Sequence, residues 1–109
     1  MLDSRMLKEL TDRYVRDCFR QESAPRASEL AYRLGMSPVQ LSRAFRELLG
    51  VCPSDYLKRQ QVDFAKQLLS TTTLSTTQIA YRAGFGTRAT FFRLFRKLAR
   101  ATPREYGGP

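Results

Sequence analysis

Arginine and lysine side chains recur at helical spacing in two stretches of this chain. They are the residues whose type and spacing best suit a specific chemical role, the binding of anions. Arg43 and Arg46 lie three positions apart, and Arg93, Arg96 and Lys97 repeat that pattern near the C-terminus. A guanidinium group presents several N–H donors in a planar fork, which fits a phosphate or the O6 and N7 edge of guanine. These residue types therefore indicate recognition of a polyanion.

The same inventory argues against an enzyme. The chain has no His, and its two cysteines, Cys18 and Cys52, lie far apart in the sequence. Catalysis needs a nucleophile with a base, or a metal site, and the remaining residue types assemble neither at a recognisable spacing. We predict no catalytic residue, no metal site and no cofactor, and we expect both thiols to be free.

The overall charge also favours a polyanionic partner. Among 109 residues, 19 Lys and Arg stand against 10 Asp and Glu, a formal net charge of +9. Residues 30–56 carry a net +1, whereas residues 79–106 carry +6. A solvated basic face would give the same total, so charge alone leaves both interpretations open. If the partner is a nucleic acid, residues 79–106 should contribute more of the sequence-independent affinity. Residues 30–56 should contribute more of the sequence specificity.

Two regions of the sequence repeat each other at an offset of about 50 residues. Residues 30–35 match residues 79–84, and residues 43–48 match residues 93–98. Both copies end on a Pro followed three positions later by a Tyr, at 53 and 56 and at 103 and 106. Such self-similarity indicates a duplicated supersecondary unit.

Each copy has the pattern of two short helices joined by a tight turn. In the first copy Gly35 suits the turn, Ser37 caps the second helix, Pro38 fits its first position and Gly50 ends it. That helix has a buried stripe of Leu41, Ala44, Phe45 and Leu48, and an outward face of Val39, Gln40, Ser42, Arg43 and Arg46. This is the helix-turn-helix plan for entering a major groove.

The second copy places its outward helix at residues 88–99. Phe91, Leu94, Phe95 and Leu98 form the predicted core stripe, and Arg88, Ala89, Phe92, Arg93 and Arg96 the outward face. Phe92 has two open interpretations, since it can pack sideways against the other copy or touch a thymine methyl group. A capping box, Ser75 to Gln78, begins this copy; the first copy has Arg26 and Glu29 there, so we expect its first turn to fray.

The flanking elements complete an all-α fold. Leu2 to Glu22 has helical periodicity and should cover the first copy, and Ser54 to Leu69 predicts a linker helix of about 16 residues, roughly 24 Å long. Residues 70–73 should end that helix, and Thr102 should cap a last short helix that turns Tyr106 to the core. We predict one domain, with lobe one at about residues 3–53, the linker at 54–69 and lobe two at 70–106.

The residues from about Ser28 to Tyr106 resemble the DNA-binding domain of AraC/XylS-type transcription regulators. The similarity is carried by Leu30-Ala31, Gly35-Met36-Ser37-Pro38, Leu41-Ser42-Arg43, Phe45, Gly50, Pro53 and Tyr56-Leu57, then by Ala65, Leu68-Leu69, Ile79-Ala80, Gly84-Phe85, Phe91, Phe95 and residues 102–106. It implies about seven helices in two helix-turn-helix lobes that bind successive major-groove segments of double-stranded promoter DNA in a bacterium. It further implies RNA polymerase as a partner and an N-terminal effector or dimerisation domain outside this chain.

The resemblance also assigns roles to residues. The positions that contact bases in the family fall on Val39, Ser42 and Arg43 in lobe one, with Gln40 on the same face, and on Arg88, Ala89, Phe92 and Arg93 in lobe two. We assign phosphate contacts to Ser37, Arg46, Thr87, Arg96 and Lys97. The chain departs from the family pattern at Arg100, where Gly is usual, so the second outward helix is expected to end differently or run on. It also has Gln61 where Arg is usual.

Two other classes of partner fit parts of this pattern. A helical protein-interaction module would use the same exposed arginines on an acidic protein face and would have little affinity for duplex DNA. RNA is disfavoured because an A-form major groove does not admit these helices. No apolar run approaches the roughly 18 residues that span a bilayer, so we expect no membrane partner and a cytoplasmic protein, associated with the nucleoid when bound to DNA.

Overall fold

A computed structural model describes residues 1–107, and Gly108 and Pro109 lie outside the described residues. The described chain forms seven helices and no strand, which confirms the all-α prediction. The helices are α1 (Ser4–Arg20), α2 (Ala27–Arg33), α3 (Pro38–Leu49), α4 (Pro53–Thr71), α5 (Thr76–Arg82), α6 (Arg88–Ala99) and α7 (Pro103–Gly107).

The core is divided into two hydrophobic clusters that share one helix. The lobe-one cluster joins α1, α2 and α3 around Leu7, Leu30 and Phe45, so α1 covers lobe one as predicted. The lobe-two cluster joins α5 and α6 around Ile79, Phe91 and Phe95. Helix α4 adds Leu57 to the first cluster and Val62 and Ala65 to the second. The two lobes therefore have separate cores but a common helix.

The duplication extends to the aromatic contacts that close each lobe. Phe45 meets Tyr56 edge-on with ring centroids 5.5 Å apart, and Phe95 meets Tyr106 in the same way at 5.7 Å. The prediction that Tyr106 turns to the core is only partly right. Its ring is 46% exposed, with the Lys66 ammonium 5.4 Å from the ring centroid.

Helix α4 has 19 residues, three more than its predicted length, and is therefore about 28 Å long. It begins at Pro53 and continues past Leu69 to Thr71, and hydroxyl groups bond back to the helix along its last turn. Ser70, Thr71 and Thr72 donate to carbonyl oxygens four residues earlier, at 2.6–2.9 Å. Gln61 is 6% exposed, and its Nε2 donates to the carbonyl of Ala83 at 3.0 Å. This contact satisfies a carbonyl at the end of α5.

The start of α2 is held by a residue from α1, which opposes the fraying that we predict for its first turn. Arg26 occupies the cap position without a side-chain capping bond. Instead, the Tyr14 hydroxyl accepts from the Arg26 N–H at 2.8 Å and donates to the Glu29 carboxylate at 2.7 Å. Tyr14 therefore replaces one half of the capping box that Ser75 and Gln78 form at α5, the bond to the N–H of the cap residue.

Tyr14→Phe should lower the free energy of unfolding by about 1–2 kcal/mol, because the amide of Arg26 loses its partner. Burial raises the pKa of the Tyr14 hydroxyl above its usual value, and the bond to Glu29 adds to the rise. Its contribution to stability is therefore complete below about pH 10 and is lost as the pH rises further. Denaturant titrations from pH 7 to 11 should show a shallower alkaline loss in the variant. Burial also raises the pKa of Tyr56, so some slope will remain, and equal slopes in both proteins would contradict the prediction.

Helix α6 ends at Ala99, so the expectation that Arg100 changes this end is wrong. Arg100 adopts the left-handed conformation with φ +58°, and its N–H bonds to the Arg96 carbonyl at 3.0 Å. Gly50 ends α3 in the same way with φ +73°. A residue with a Cβ is strained in this conformation. Arg100 therefore ends α6 in the conformation in which Gly50 ends α3, but with this strain.

Arg100→Gly should raise the free energy of unfolding by about 1 kcal/mol, because it removes the left-handed strain, partly offset by the greater backbone freedom of unfolded glycine. Gly50→Ala is the reverse change at the equivalent site and should lower stability by a similar amount. Chemical denaturation of Arg100→Gly, Gly50→Ala and the natural chain measures both changes in the free energy of unfolding. A stability loss in Arg100→Gly would mean that its side chain contributes more than its backbone strain removes.

Candidate nucleic-acid interface

Helix α3 begins with a capping box formed by Ser37 and Gln40. The Ser37 hydroxyl accepts from the Gln40 N–H at 3.1 Å, as predicted for a cap. The Gln40 Oε1 in turn accepts from the Ser37 N–H at 2.9 Å. The Ser-x-x-Gln spacing carries this signal in the sequence. Gln40 was assigned only to base contact; its oxygen is already used within the protein, which leaves its amide N–H groups for a partner.

The outward face of α3 is open as predicted. Leu41 and Phe45 are 1% and 0% exposed, whereas every predicted contact residue on this helix is exposed. The exposed set is Ser37, Val39, Gln40, Ser42, Arg43 and Arg46. Val39 is an apolar side chain with 68% of its surface in solvent. An exposed valine beside an exposed arginine is suited to a surface that has both methyl groups and hydrogen-bond acceptors.

Helix α6 presents the equivalent face of lobe two. Thr87 caps it by accepting from the Thr90 N–H at 3.1 Å, and Phe91, Leu94 and Phe95 are buried. The exposed predicted residues are Thr87, Arg88, Ala89, Arg93, Arg96 and Lys97. The structure thus places all predicted contact residues on α3 or α6 or at their caps, one set in each lobe.

Phe92 is half-buried and packs within its own lobe. Its ring lies 5.7 Å from that of Phe91 and belongs to the lobe-two cluster, so sideways packing against the other lobe is not what the structure shows. The Arg88 guanidinium lies over the ring, 5.1 Å from the centroid. This cation–π contact orients Arg88 at the first position of α6. Part of the ring remains accessible beside it.

The ion pairs lie on other elements than the two outward helices. Four pairs occur among residues 1–107: Arg5–Glu9, Arg20–Asp17, Arg33–Asp17 and Arg82–Glu22. All of them lie on α1, α2, α5 or the loop after α1. Within the described part of the chain, the arginines and the lysine of α3 and α6 pair with no carboxylate. Their positive charges are therefore available to an external anion.

Other kinds of site have no support within residues 1–107. No group of three or more His, Cys, Asp or Glu residues there is placed to hold a metal ion. The two thiols are free; Cys18 is buried and Cys52 half-buried. Nor does any helix of the described chain combine the length and apolar character that crossing a membrane requires.

Known proteins share both this sequence pattern and this fold. A family model described as a helix-turn-helix domain matches residues 30–108. The chain is 36% identical, over 87 residues, to an HTH-type transcriptional regulator of Mycobacterium tuberculosis, covering 80% of this chain and 34% of that protein. It spans about a third or less of the length of such curated relatives.

Solved structures give the same result. The DNA-binding domain of AdpA, a global transcriptional factor solved in complex with a target DNA, is 29% identical with a TM-score of 0.76, covering 88% of this chain and 87% of that one. A transcriptional regulator of Chromobacterium violaceum, from the proteins that contain an AraC-type DNA-binding domain, is 29% identical with a TM-score of 0.72, covering 91% and 90%. By sequence and by structure, this chain belongs to the AraC-type helix-turn-helix family of transcription regulators, which is not a family of enzymes.

Proposed function

We propose that this chain binds double-stranded promoter DNA sequence-specifically and regulates transcription, with α3 and α6 inserted into successive major-groove segments. The observation that carries the proposal is the pair of equivalent helix faces whose arginines are exposed and have no carboxylate partner among residues 1–107. The similarity to a domain solved with its target DNA supports it.

The dimensions of the protein are compatible with two contacts on one duplex. Successive turns of the major groove on one side of B-DNA are about 34 Å apart. Helix α4 is shorter than this distance at about 28 Å, but the longest dimension of the protein is 46 Å. The protein is therefore long enough to contact two successive turns of the groove.

The two exposed faces support different kinds of contact. Arg43 and Arg93 occupy equivalent positions on α3 and α6, and we assign them to guanine edges, which match a guanidinium fork. Val39, Ser42 and Ala89 are short, so they suit thymine methyl groups and water-bridged base edges. Arg46, Arg96 and Lys97, about one turn further along, suit phosphates, as do the hydroxyl groups of Ser37 and Thr87.

The uneven charge assigns a different share of binding to each lobe. The +6 of residues 79–106 gives lobe two the stronger attraction to any phosphate backbone, and the +1 of residues 30–56 leaves lobe one more dependent on base contacts. Scanning each base pair of a bound site should give larger penalties under lobe one. Larger penalties under lobe two would reverse this assignment.

Selection of bound sequences from a random duplex pool tests the proposal most directly, because it reports specificity, footprint length and lobe spacing together. The selected duplexes should share a motif with two parts about one helical turn apart. A fluorescence titration at two salt concentrations then compares the selected duplex with a random one. Weak binding to both would instead favour a helical protein-interaction module.

Lys97→Ala should weaken binding to all duplexes alike and should reduce the slope of log affinity against log salt by about 0.9, because one phosphate contact is lost. Lys8→Ala is the matched control, since it removes the same charge from an exposed position on α1. It should leave the slope nearly unchanged. If Lys97→Ala and Lys8→Ala reduce the slope by the same amount, Lys97 is no more a phosphate contact than Lys8 is.

The family membership also carries proposals about the whole protein. We infer that RNA polymerase is a partner at the promoter and that an effector or dimerisation domain precedes this domain in the intact protein. The protein then acts in the bacterial cytoplasm, on the nucleoid. Slower migration of the promoter complex when RNA polymerase is added tests the first inference, and no change in migration would reject it.

A further inference from the structure

The loop that joins α1 to α2 touches the turn of the helix-turn-helix in lobe two. Gly84, in that turn, has φ +78°. A Cβ added to Gly84 would lie 2.6 Å from the carbonyl oxygen of Ser23 and 3.0 Å from the Cα of Ala24. These are backbone atoms, which cannot rotate away as a side chain would. The two backbones are therefore in direct contact, and the contact needs glycine.

The equivalent glycine of lobe one makes no such contact. Gly35 has nearly the same conformation, with φ +69°, but a Cβ added there meets nothing within 4 Å. The shape of the turn accounts for glycine at both positions. Only at Gly84 does the absence of a side chain also let another part of the protein approach. The duplicated sequence thus contains one position whose surroundings are not duplicated.

Three further contacts involve α1, α4 or the residues next to Ser23 and Gly84. The rings of Phe19 and Phe64 are stacked with centroids 4.3 Å apart and planes at 11°. Phe19 packs against the lobe-one cluster and Phe64 against the lobe-two cluster, so this pair connects the two cores. The bond from Gln61 to the Ala83 carbonyl fastens α4 to the residue before Gly84. The Glu22–Arg82 pair, at 3.9 Å and half-exposed, adds little.

The contact of Ser23 and Ala24 with Gly84 gives the lobes a second connection besides α4, whereas Phe64 and Gln61 lie on α4 and fasten that helix to α1 and to lobe two. A single helix fixes the distance between its ends, but each lobe can still shift about the helix wherever it packs loosely. The loop of residues 21–26, which we call the strut, presses on lobe two from a different helix, α1. Two separate connections resist rotation of one lobe relative to the other. A single connection leaves that rotation free.

We propose that the strut and Gly84 fix the angle between the two helix-turn-helix lobes, and that they thereby make the chain selective for one spacing between the two parts of its DNA site. This proposal rests on the proposed function. One added base pair shifts the second part of the site by about 3.4 Å and rotates it by about 34° around the duplex. Rigid lobes can follow that shift only if the DNA deforms, whereas loose lobes can follow it themselves.

The test compares Gly84→Ala with Gly35→Ala, which impose the same left-handed strain on equivalent turns but differ in whether they push the strut away. Binding is measured to the selected site and to sites with one base pair added or removed between its two parts. The natural chain and Gly35→Ala should lose on the order of tenfold in affinity when the spacing changes. Gly84→Ala should lose about threefold or less, with weaker binding to the original site because its lobes are no longer preorganised.

A second measurement needs no DNA. Residual dipolar couplings of the free protein should fit one alignment tensor for both lobes in the natural chain and in Gly35→Ala, but two different tensors in Gly84→Ala. If Gly84→Ala does not fold, Phe19→Leu takes its place, since it keeps an apolar side chain on lobe one but removes the stacked ring.

The outcomes separate the two proposals. The natural chain could bind no duplex and still fit one alignment tensor for both lobes, with two different tensors in Gly84→Ala. In that case the DNA-binding proposal fails, but the strut remains supported as a structural connection between the lobes. If DNA binds and Gly84→Ala keeps both the single tensor and the natural spacing penalty, the strut proposal is overturned. Equal loosening in Gly84→Ala and Gly35→Ala would also overturn it, because turn strain alone would then explain the result.

Discussion

Replacing Phe95 with alanine should lower the free energy of unfolding by about 3–5 kcal/mol. The Phe95 side chain is 0% exposed and has edge-on contacts with Phe91 and Tyr106 at centroid distances of 5.6 and 5.7 Å. Its removal leaves a cavity at the point where α6 and α7 meet. Because α4 contributes to both clusters, thermal unfolding followed by circular dichroism should still show one transition, at a lower temperature.

The control is Phe92→Ala on the same helix. It removes the same side chain from a half-buried position, so we expect a loss of at most about 2 kcal/mol. Phe45→Ala, the equivalent of Phe95→Ala in lobe one, should match the larger value because Phe45 is also 0% exposed. A loss below about 1 kcal/mol in Phe95→Ala would show that its ring is not part of the core.

Arg43→Ala and Arg93→Ala should each weaken binding to the selected DNA site by about 1–3 kcal/mol and relax the preference at one base pair. Both arginines are exposed on equivalent helix faces and have no carboxylate partner among residues 1–107. They lie in different lobes with separate cores, so their effects should add within about 0.5 kcal/mol in the double variant. Fluorescence titrations on the selected site and on a random duplex provide the measurement.

Arg46→Ala is the control, because it removes the same charge one turn away, where we assign a phosphate contact. It should weaken the selected and random duplexes equally. Equal losses on both duplexes in Arg43→Ala or Arg93→Ala would remove those residues from base recognition. Arg88 is a less suitable test, since its guanidinium also lies over the Phe92 ring.

The local signals in the sequence were sufficient for the helix-turn-helix units. The duplicated pattern, the caps Ser37 and Ser75, and the left-handed Gly35 and Gly50 each act within a few residues of chain. Such signals are visible in sequence because their partners lie at fixed small offsets. The core stripe of α6 is equally local, and the helix runs from Arg88 to Ala99, within the range that this stripe predicts.

Contacts between distant parts of the chain were decided only by the tertiary structure. Tyr14 caps a helix that begins 13 residues later, and Ser23 lies against Gly84 in the other lobe. Neither pair has a fixed sequence offset, so no periodicity predicts it. Arg100 shows the same limit, because its residue type disfavours the left-handed conformation that the surrounding helices impose. The sequence alone determined which helices form and which faces they expose, whereas the contacts of α1 with α2 and with the turn of lobe two were decided by tertiary packing, because their partners lie at no fixed offset in the chain.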